Sequence, residues 1–297
     1  MRTKPTQKVY RQLALMVLFV FTVGIACEAT PVDSDLIPSA AEDFNENRYQ
    51  GVTYKREVRD DPRPMVIHIL TIDLKANGIK TLVTPGDPDA TESSTARTTS
   101  EFMEEFDVQI AINGDAFTPW HSLGVLGYYP HSGDTVEPIG YAASEGVVYS
   151  EDTHSEPTLY LYKTSKASIE SVIGKVYNAV SGSKWLIKNG EMVDDLGDKA
   201  EPRTAVALDR PGRRLIIVIV DGRQPGYSEG ATLTEMAQLL LDNKGYIGFN
   251  LDGGGSTTLV MADANGDPQV INSPIHQGIP GNERPVANHL GIFAKEK

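Results

Sequence analysis

The sequence predicts an α+β fold: a single domain on a mainly antiparallel or mixed β-sheet with a few flanking helices. Short apolar runs of strand length recur from Met65 onward, and most are closed by Gly, Asn or Asp. Helical spacing of apolar residues is confined to two segments, 94–106 and 233–243. The chain shows no internal repeat, and its 297 residues are ample for one substantial core.

In order along the chain, a basic stretch to Arg11 is followed by the apolar run LALMVLFVFTVGIA, 14 residues ending at Ala26. That is short for a membrane span and suits the core of a secretory signal, so residues 1–26 are expected to direct export. Gly24 and Ala26 before Cys27 resemble a lipoprotein processing site, although Gly24 stands where an aliphatic residue is usual. Cys27 is therefore expected to carry a lipid anchor at the cell envelope, the alternative being plain secretion. It is the one cysteine of the chain, so no internal disulfide forms. Residues 27–48 are acidic and aperiodic, with Pro31 and Pro38, and read as a disordered tether ahead of a domain spanning 49–297.

MVIHILTIDL (65–74) alternates as a strand, with a second at 79–84 beyond the Asn77–Gly78 turn. Phe102, Met103 and Phe106 share one helical face, and VQIAIN then leads as a strand into Asn113. Residues 118–138, rich in Gly, Pro, Tyr and His, read as a long loop. Short strands are expected at 146–149 and 158–162, and the stretch 181–188 precedes a turn at Asn189–Gly190. Residues 204–208 and 215–220 pair around the turn 209–212. Thr232 and Glu235 form a capping box for the helix 233–243, which Gly245 ends. FNLDGGGSTTLV (249–260) reads as strand, tight turn, then strand or short helix.

The net charge is −13, from 27 Lys+Arg against 40 Asp+Glu. Loss of the leader removes Arg2, Lys4, Lys8 and Arg11 and takes the balance to −17, with 23 basic residues left. Such a surface repels nucleic acid and anionic lipid overall, so a duplex-binding role is not expected. An anionic substrate needs a locally positive pocket inside this negative envelope.

Three polar clusters each follow an apolar strand: Asn113-Gly114-Asp115, Asp221-Gly222-Arg223, and Asp252-Gly253-Gly254-Gly255-Ser256. Strand ends place side chains accurately while leaving them reachable, and glycines let backbone amides approach an anion. The bland alternative is three strand-ending turns. Arg203 precedes a strand, Arg223 follows one and Arg284 lies in NERPVANHLGIF; each is a planar fork suited to phosphate or carboxylate, or to pairing with a core-edge acid.

RTAVALD, VDGRQPGYSEGATLTEMAQLLLDNKGYIGFNLDGGGSTTLV and ERPVANHLGIF resemble the phosphodiester glycosidase family, with INGDAF and SGSKWLIKNG as weaker motifs. The likeness runs from about Asn113 to Phe293. Asp115 departs from it, standing where members often carry a small or apolar residue, and the 118–138 loop is individual. The resemblance implies hydrolysis of a sugar 1-phosphodiester, freeing the sugar and leaving a phosphomonoester on a glycan or sugar-phosphate substrate. Phosphate is a good leaving group, so charge stabilisation and a carboxylate near the anomeric carbon matter most. On that reading Asp252 is the first choice for nucleophile or base and Asp221 the second. Arg203, Arg223, Arg284 and the amides of Gly253, Gly254 and Gly255 take the phosphate. Asn113, Asp115, Ser228, Ser256 and Asn288 hold sugar hydroxyls or orient the carboxylates.

No cofactor is called for and no metal site is assigned. Clustered acids and amides would take Ca²⁺ or Mg²⁺ if any ion bound. DANGD (263–267) lacks the later glutamate of an EF-hand loop and reads as a surface turn, and the six histidines show no zinc spacing. A noncatalytic carbohydrate-binding envelope protein could use the same loops. A serine hydrolase built on Ser256 lacks GxSxG. The sequence carries no signature of oligomeric state.

Overall fold

The computed structural model describes residues 44–123, 127–151 and 156–297. The leader, Cys27 and the tether as far as residue 43 lie outside the described residues. The first described strand, Phe44–Glu46, falls within the stretch expected to be tether.

The strand Arg214–Val220 shows how the molecule is layered. Its sequence RLIIVIV is apolar at six successive positions because both faces of the strand are covered. Leu215, Ile217 and Ile219 enter one core, while Ile216, Val218 and Val220 enter a second. The strand Met65–Asp73 beside it divides the same way, with Leu70 and Ile72 in the first core and Ile67 and Ile69 in the second. The second core lies under the helix Leu233–Asp242, which contributes Met236, Ala237 and Leu240. Thr232 caps that helix with Glu235 in the expected reciprocal box.

These strands belong to an eight-stranded sheet in the order Phe44–Glu46, Val52–Arg59, Met65–Asp73, Arg214–Val220, Arg203–Leu208, Ile247–Asn250, Lys184–Lys188 and Glu191–Met192. The first core is shared with two five-stranded sheets. One contains Ile110–Asn113 between Leu259–Ala262 and His289–Phe293, with Lys80–Val83 at its edge. The other is centred on Asn178–Ser181 and Thr158–Leu161. A second helix, Thr99–Phe106, buries Phe102 and Met103 against the first of these, again behind a Thr98–Glu101 capping box.

Every ladder between the described strands is antiparallel, and among the described residues there are only these two α-helices. The fold is thus more β-rich than an α+β label implies, and its strands form several sheets rather than one mixed sheet. The residues 118–138 are not one long loop: they include the pieces His121–Ser122, Tyr128–Tyr129 and Thr135–Pro138. Residues 94–98 are extended, so the helix starts later than apolar spacing alone indicates. Among the described residues no helix is long and apolar enough to cross a membrane.

Register decides where the site lies. Arg203 pairs with Val220, Ala205 with Asn250, and Asn113 with His289. Those pairings bring the starts of two strands and the ends of three others to one end of the layered sheets. The chain leaves the eight-stranded sheet at Asn250 and enters a five-stranded sheet at Leu259, so Asp252-Gly-Gly-Gly is the crossover between them.

Candidate active site

Asn113, the last residue of its strand, is the brace from which the site is built. Its Oδ1 accepts hydrogen bonds from Thr204 Oγ1 (2.8 Å) and the Thr258 amide (3.2 Å), and its Nδ2 donates to the Asp252 carbonyl (2.9 Å). The Asp252 amide donates to the Gly114 carbonyl at 3.0 Å. Both backbone groups of Asp252 are thereby tied to one strand end, and its side chain opens into a cleft of about 410 Å³.

The three glycines after Asp252 each lie against one arginine. Gly253 faces the Arg203 stem; a Cβ on Gly254 would come 3.0 Å from Arg223 Nη2, and one on Gly255 would come 2.4 Å from Arg284 Nη2. Gly254 also adopts φ +61°, the left-handed region that favours glycine. A side chain at either position would occupy the space the guanidiniums use, so the glycine run is what lets them close on the turn.

The arginines differ in how they are held. Arg223 pairs with Glu201, which Lys199 also approaches, and its backbone is left-handed at φ 60°. Burial raises the Glu201 carboxyl, but these two cations outweigh it and keep the group below its ordinary value. Among the described residues Arg203 donates to backbone carbonyls, those of Lys199 (3.1 Å) and Ala231 (3.3 Å). Arg284 donates through Nε to His276 Nδ1 (3.1 Å) and through Nη1 to Ser256 Oγ (3.3 Å), with its guanidinium 4.9 Å from the centre of the Trp120 ring. Burial and the Arg284 charge hold the His276 imidazole down at about 4, so it is neutral and accepts that bond. Neither Arg203 nor Arg284 forms an ion pair with a carboxylate among the described residues. In a chain of net charge −13, two such guanidiniums beside one cleft are the local positive pocket that an anion requires.

Asp252 lies among these charges. Burial pushes its carboxyl above the ordinary value, while a hydrogen bond from the Ser256 hydroxyl and the Arg284 charge pull it back. Its Oδ1 also accepts from the Gly253 amide at 2.8 Å.

Not every expected residue reaches the cleft. Asp221, an equally good strand-end acid by sequence, is fully buried, and its two oxygens take four donors: His68 Nε2, Tyr227 OH, Asn272 Nδ2 and the Ser273 amide. Asn272 Nδ2 also donates to the Thr257 carbonyl, so Asp221 supports the glycine turn from beneath and has no free face for substrate. Ser228 is spent on the Asp221 carbonyl and the Val66 amide. Asp115 and Asn288 form a separate buried brace, Asn288 Oδ1 accepting the Asp115 amide while the carboxylate accepts the Ala116 and Gly140 amides. Burial pushes the Asp115 carboxyl up to about 7. Asn113, Asp115, Ser228 and Asn288 are all buried, which gives them positioning places rather than contacts with sugar hydroxyls.

Lys199, Glu201, Ser183 and Asn250 line the cleft without having been singled out in the sequence. Glu201 had a signal, two residues before Arg203 at a strand start; Ser183 and Asn250 had none, being brought together by strand pairing (Ser183 N to Asn250 O, 2.9 Å). Among the described residues no group of three or more His, Cys, Asp or Glu converges as a metal site. DANGD closes on itself as a turn, Asp263 Oδ1 accepting the Asn265 and Asp267 amides.

The phosphodiester glycosidase family model matches residues 106–293, which takes in the whole Asp252 turn, all three arginines, Asn113, Asp115, Asp221 and Asn288. The chain belongs to the phosphodiester glycosidase family. Curated relatives include the bovine and human N-acetylglucosamine-1-phosphodiester alpha-N-acetylglucosaminidases. These are 28% identical over 195 residues and 26% identical over 197, each match covering 60% of this chain. The match takes in 36% of each relative, so the chain spans about a third of their length. Similar folds occur in a hypothetical protein from Synechocystis (TM-score 0.58, 16% identity, 86% of this chain and 64% of that one). They occur also in the zebrafish N-acetylglucosamine-1-phosphodiester alpha-N-acetylglucosaminidase catalytic domain, auto-inhibited by its pro-peptide (TM-score 0.57, 18% identity, 88% and 92%). Family members thus include named enzymes, and this chain carries their fold together with a carboxylate and three guanidiniums at one cleft.

Proposed function

We propose that this protein hydrolyses sugar 1-phosphodiesters outside the cytoplasm, freeing the sugar and leaving a phosphomonoester. The observation that carries the reading is that Asp252 shares one cleft with Arg203 and Arg284, two guanidiniums that form no ion pair with a carboxylate among the described residues. The diester phosphate lies between those guanidiniums, and the glycine-turn amides add donors. Asp252 addresses the anomeric carbon as nucleophile or as base for water. The C1–O bond breaks with its electron pair going to the phosphate, whose second negative charge develops next to the arginines. Protonation of the leaving group is not required, in keeping with one acid at the turn rather than the pair of an ordinary glycosidase. Arg223, fixed by Glu201, adds a third guanidinium whose charge reaches Asp252, Arg203 and Arg284.

The curated relatives' names direct the first choice of sugar to N-acetylglucosamine. The basic and apolar leader supports export, with Cys27 as the lipid anchor at the cell envelope.

The test is incubation with UDP-N-acetylglucosamine and with an aryl phosphodiester of the same sugar, with and without chelator. Free N-acetylglucosamine and UDP are expected, and Asp252→Asn should lower the rate by about 10²–10⁴-fold with the fold intact. Release of the sugar 1-phosphate would place the cut at phosphorus and defeat the proposal. Binding without release would favour a carbohydrate-binding protein.

A further inference from the structure

A second cavity lies away from the Asp252 cleft. It is a groove of about 980 Å³ between the edge strand Lys80–Val83 and the turn that joins Thr158–Leu161 to Ala167–Ile169. The strand His289–Phe293 runs from one site to the other: His289 lies beside Asn113, whereas Phe293 pairs with Lys80 in the groove wall. Five residues of strand put about 14 Å between the two ends.

Four lysines line the groove, Lys80, Lys163, Lys166 and Lys295. A smaller cavity of about 360 Å³ shares Glu145, Tyr162, Lys163, Lys166 and Tyr177 with it and adds Lys175. Glu145 is the single carboxylate among the residues lining either cavity, and its Oε1 is taken by the Tyr177 hydroxyl (2.9 Å). None of the five lysines forms an ion pair among the described residues, although acids outnumber bases 40 to 27 in the chain. Lys163 Nζ stands 4.4 Å from the centre of the Tyr177 ring.

We infer that this groove holds a linear, phosphate-bearing polyanion. Five cations without ion pairs, four in the groove and Lys175 in the cavity adjoining it, give this face of an acidic protein a local positive field complementary to an anion. Their chemistry differs from that of the catalytic cleft. Lysine is a flexible point charge that follows a chain of phosphates without fixing any one of them, whereas the arginine forks of the cleft orient a single group. Tyr162 and Tyr177 supply flat faces between the charges, the combination of charged groove and aromatic platform used along single polyanionic strands. Concavity favours a chain over a bilayer, which cannot enter a recess. The exposed aliphatics Val147, Val148, Val172 and Ile173 nearby make a membrane the competing occupant, and the experiment separates the two.

The probe is long-chain inorganic polyphosphate, with neutral dextran and anionic phosphatidylglycerol vesicles in parallel arms. Engagement of four lysines should make affinity fall by about 50-fold between 50 and 200 mM salt, taking a slope of about −0.7 per phosphate contacted. The quadruple variant Lys80→Gln/Lys163→Gln/Lys166→Gln/Lys295→Gln alters only surface positions and should lose both the binding and its salt dependence. The double variant Arg203→Gln/Arg284→Gln should keep both, which excludes the catalytic cleft as the source and leaves the inference independent of the proposed activity. Equal binding of dextran, survival of polyphosphate binding in the lysine variant, its loss in the arginine variant, or binding of vesicles but not polyphosphate would each overturn it.

Discussion

Gly255→Ala tests the site with one methyl group. The new Cβ would lie 2.4 Å from Arg284 Nη2 and 2.7 Å from its Cζ, so the guanidinium must retreat by about 1 Å to reach ordinary contact at 3.4 Å. It has little freedom to do so without losing its bonds to His276 and Ser256 or its place over Trp120. The backbone at Gly255 is outside the left-handed region, so alanine itself is not strained there. A displacement of about 1 Å at a charge-positioning group costs on the order of 10²-fold in rate, or about 2.7 kcal/mol of transition-state stabilisation. The cost to folding should stay near 1 kcal/mol, about 2–4 °C in Tm for a domain of this size. The assay is kcat/KM on UDP-N-acetylglucosamine alongside a thermal melt. Unchanged kcat/KM in a folded Gly255→Ala protein would mean that Arg284 does not act where the geometry places it. A loss of rate explained by unfolding would equally refute the reasoning.

Asp115 should make stability fall with rising pH. Its folded value of about 7 exceeds the ordinary 3.8, so between those values the folded state holds a proton that the unfolded state releases. Stability should decline across that window by up to on the order of 4 kcal/mol and level off above it, and Asp115→Asn should flatten the slope in urea titrations at pH 4, 5.5 and 7. Asn113→Ala removes the side chain's bonds to Thr204, Thr258 and Asp252 at the strand end and should cost about 1–3 kcal/mol in urea melts, with kcat falling more than KM rises, because Asp252 loses its brace. Arg203→Gln keeps a donor but removes the charge, so kcat/KM should drop by about 10²–10³-fold in the same sugar-release assay.

Much of the framework can be read from local chemistry. The alternation at 65–74, the paired runs around Asp209–Gly212 and the Thr232–Glu235 box are short-range patterns, and the strands and helix they announce are present nearly residue for residue. The number of sheets is not of that kind. Which strand pairs with which depends on contacts such as Ala205 with Asn250 or Met65–Asp73 with Arg214–Val220, between segments tens to well over a hundred residues apart.

Asp221 and Asp252 show where sequence stops. Each ends an apolar strand, each is followed by glycine, and each has an arginine in reach along the chain or across it. By itself the sequence determined that acids, glycines and arginines stand at strand ends, and which family the motifs resemble. Only the tertiary structure decided which acid is buried and which faces the cleft. His68, Tyr227, Asn272 and Ser273 close around Asp221, whereas Asp252 lies on the crossover between two sheets with three guanidiniums before it. A carboxylate's role follows from whether donors or open space surround it, and those donors come from segments that local pattern does not link.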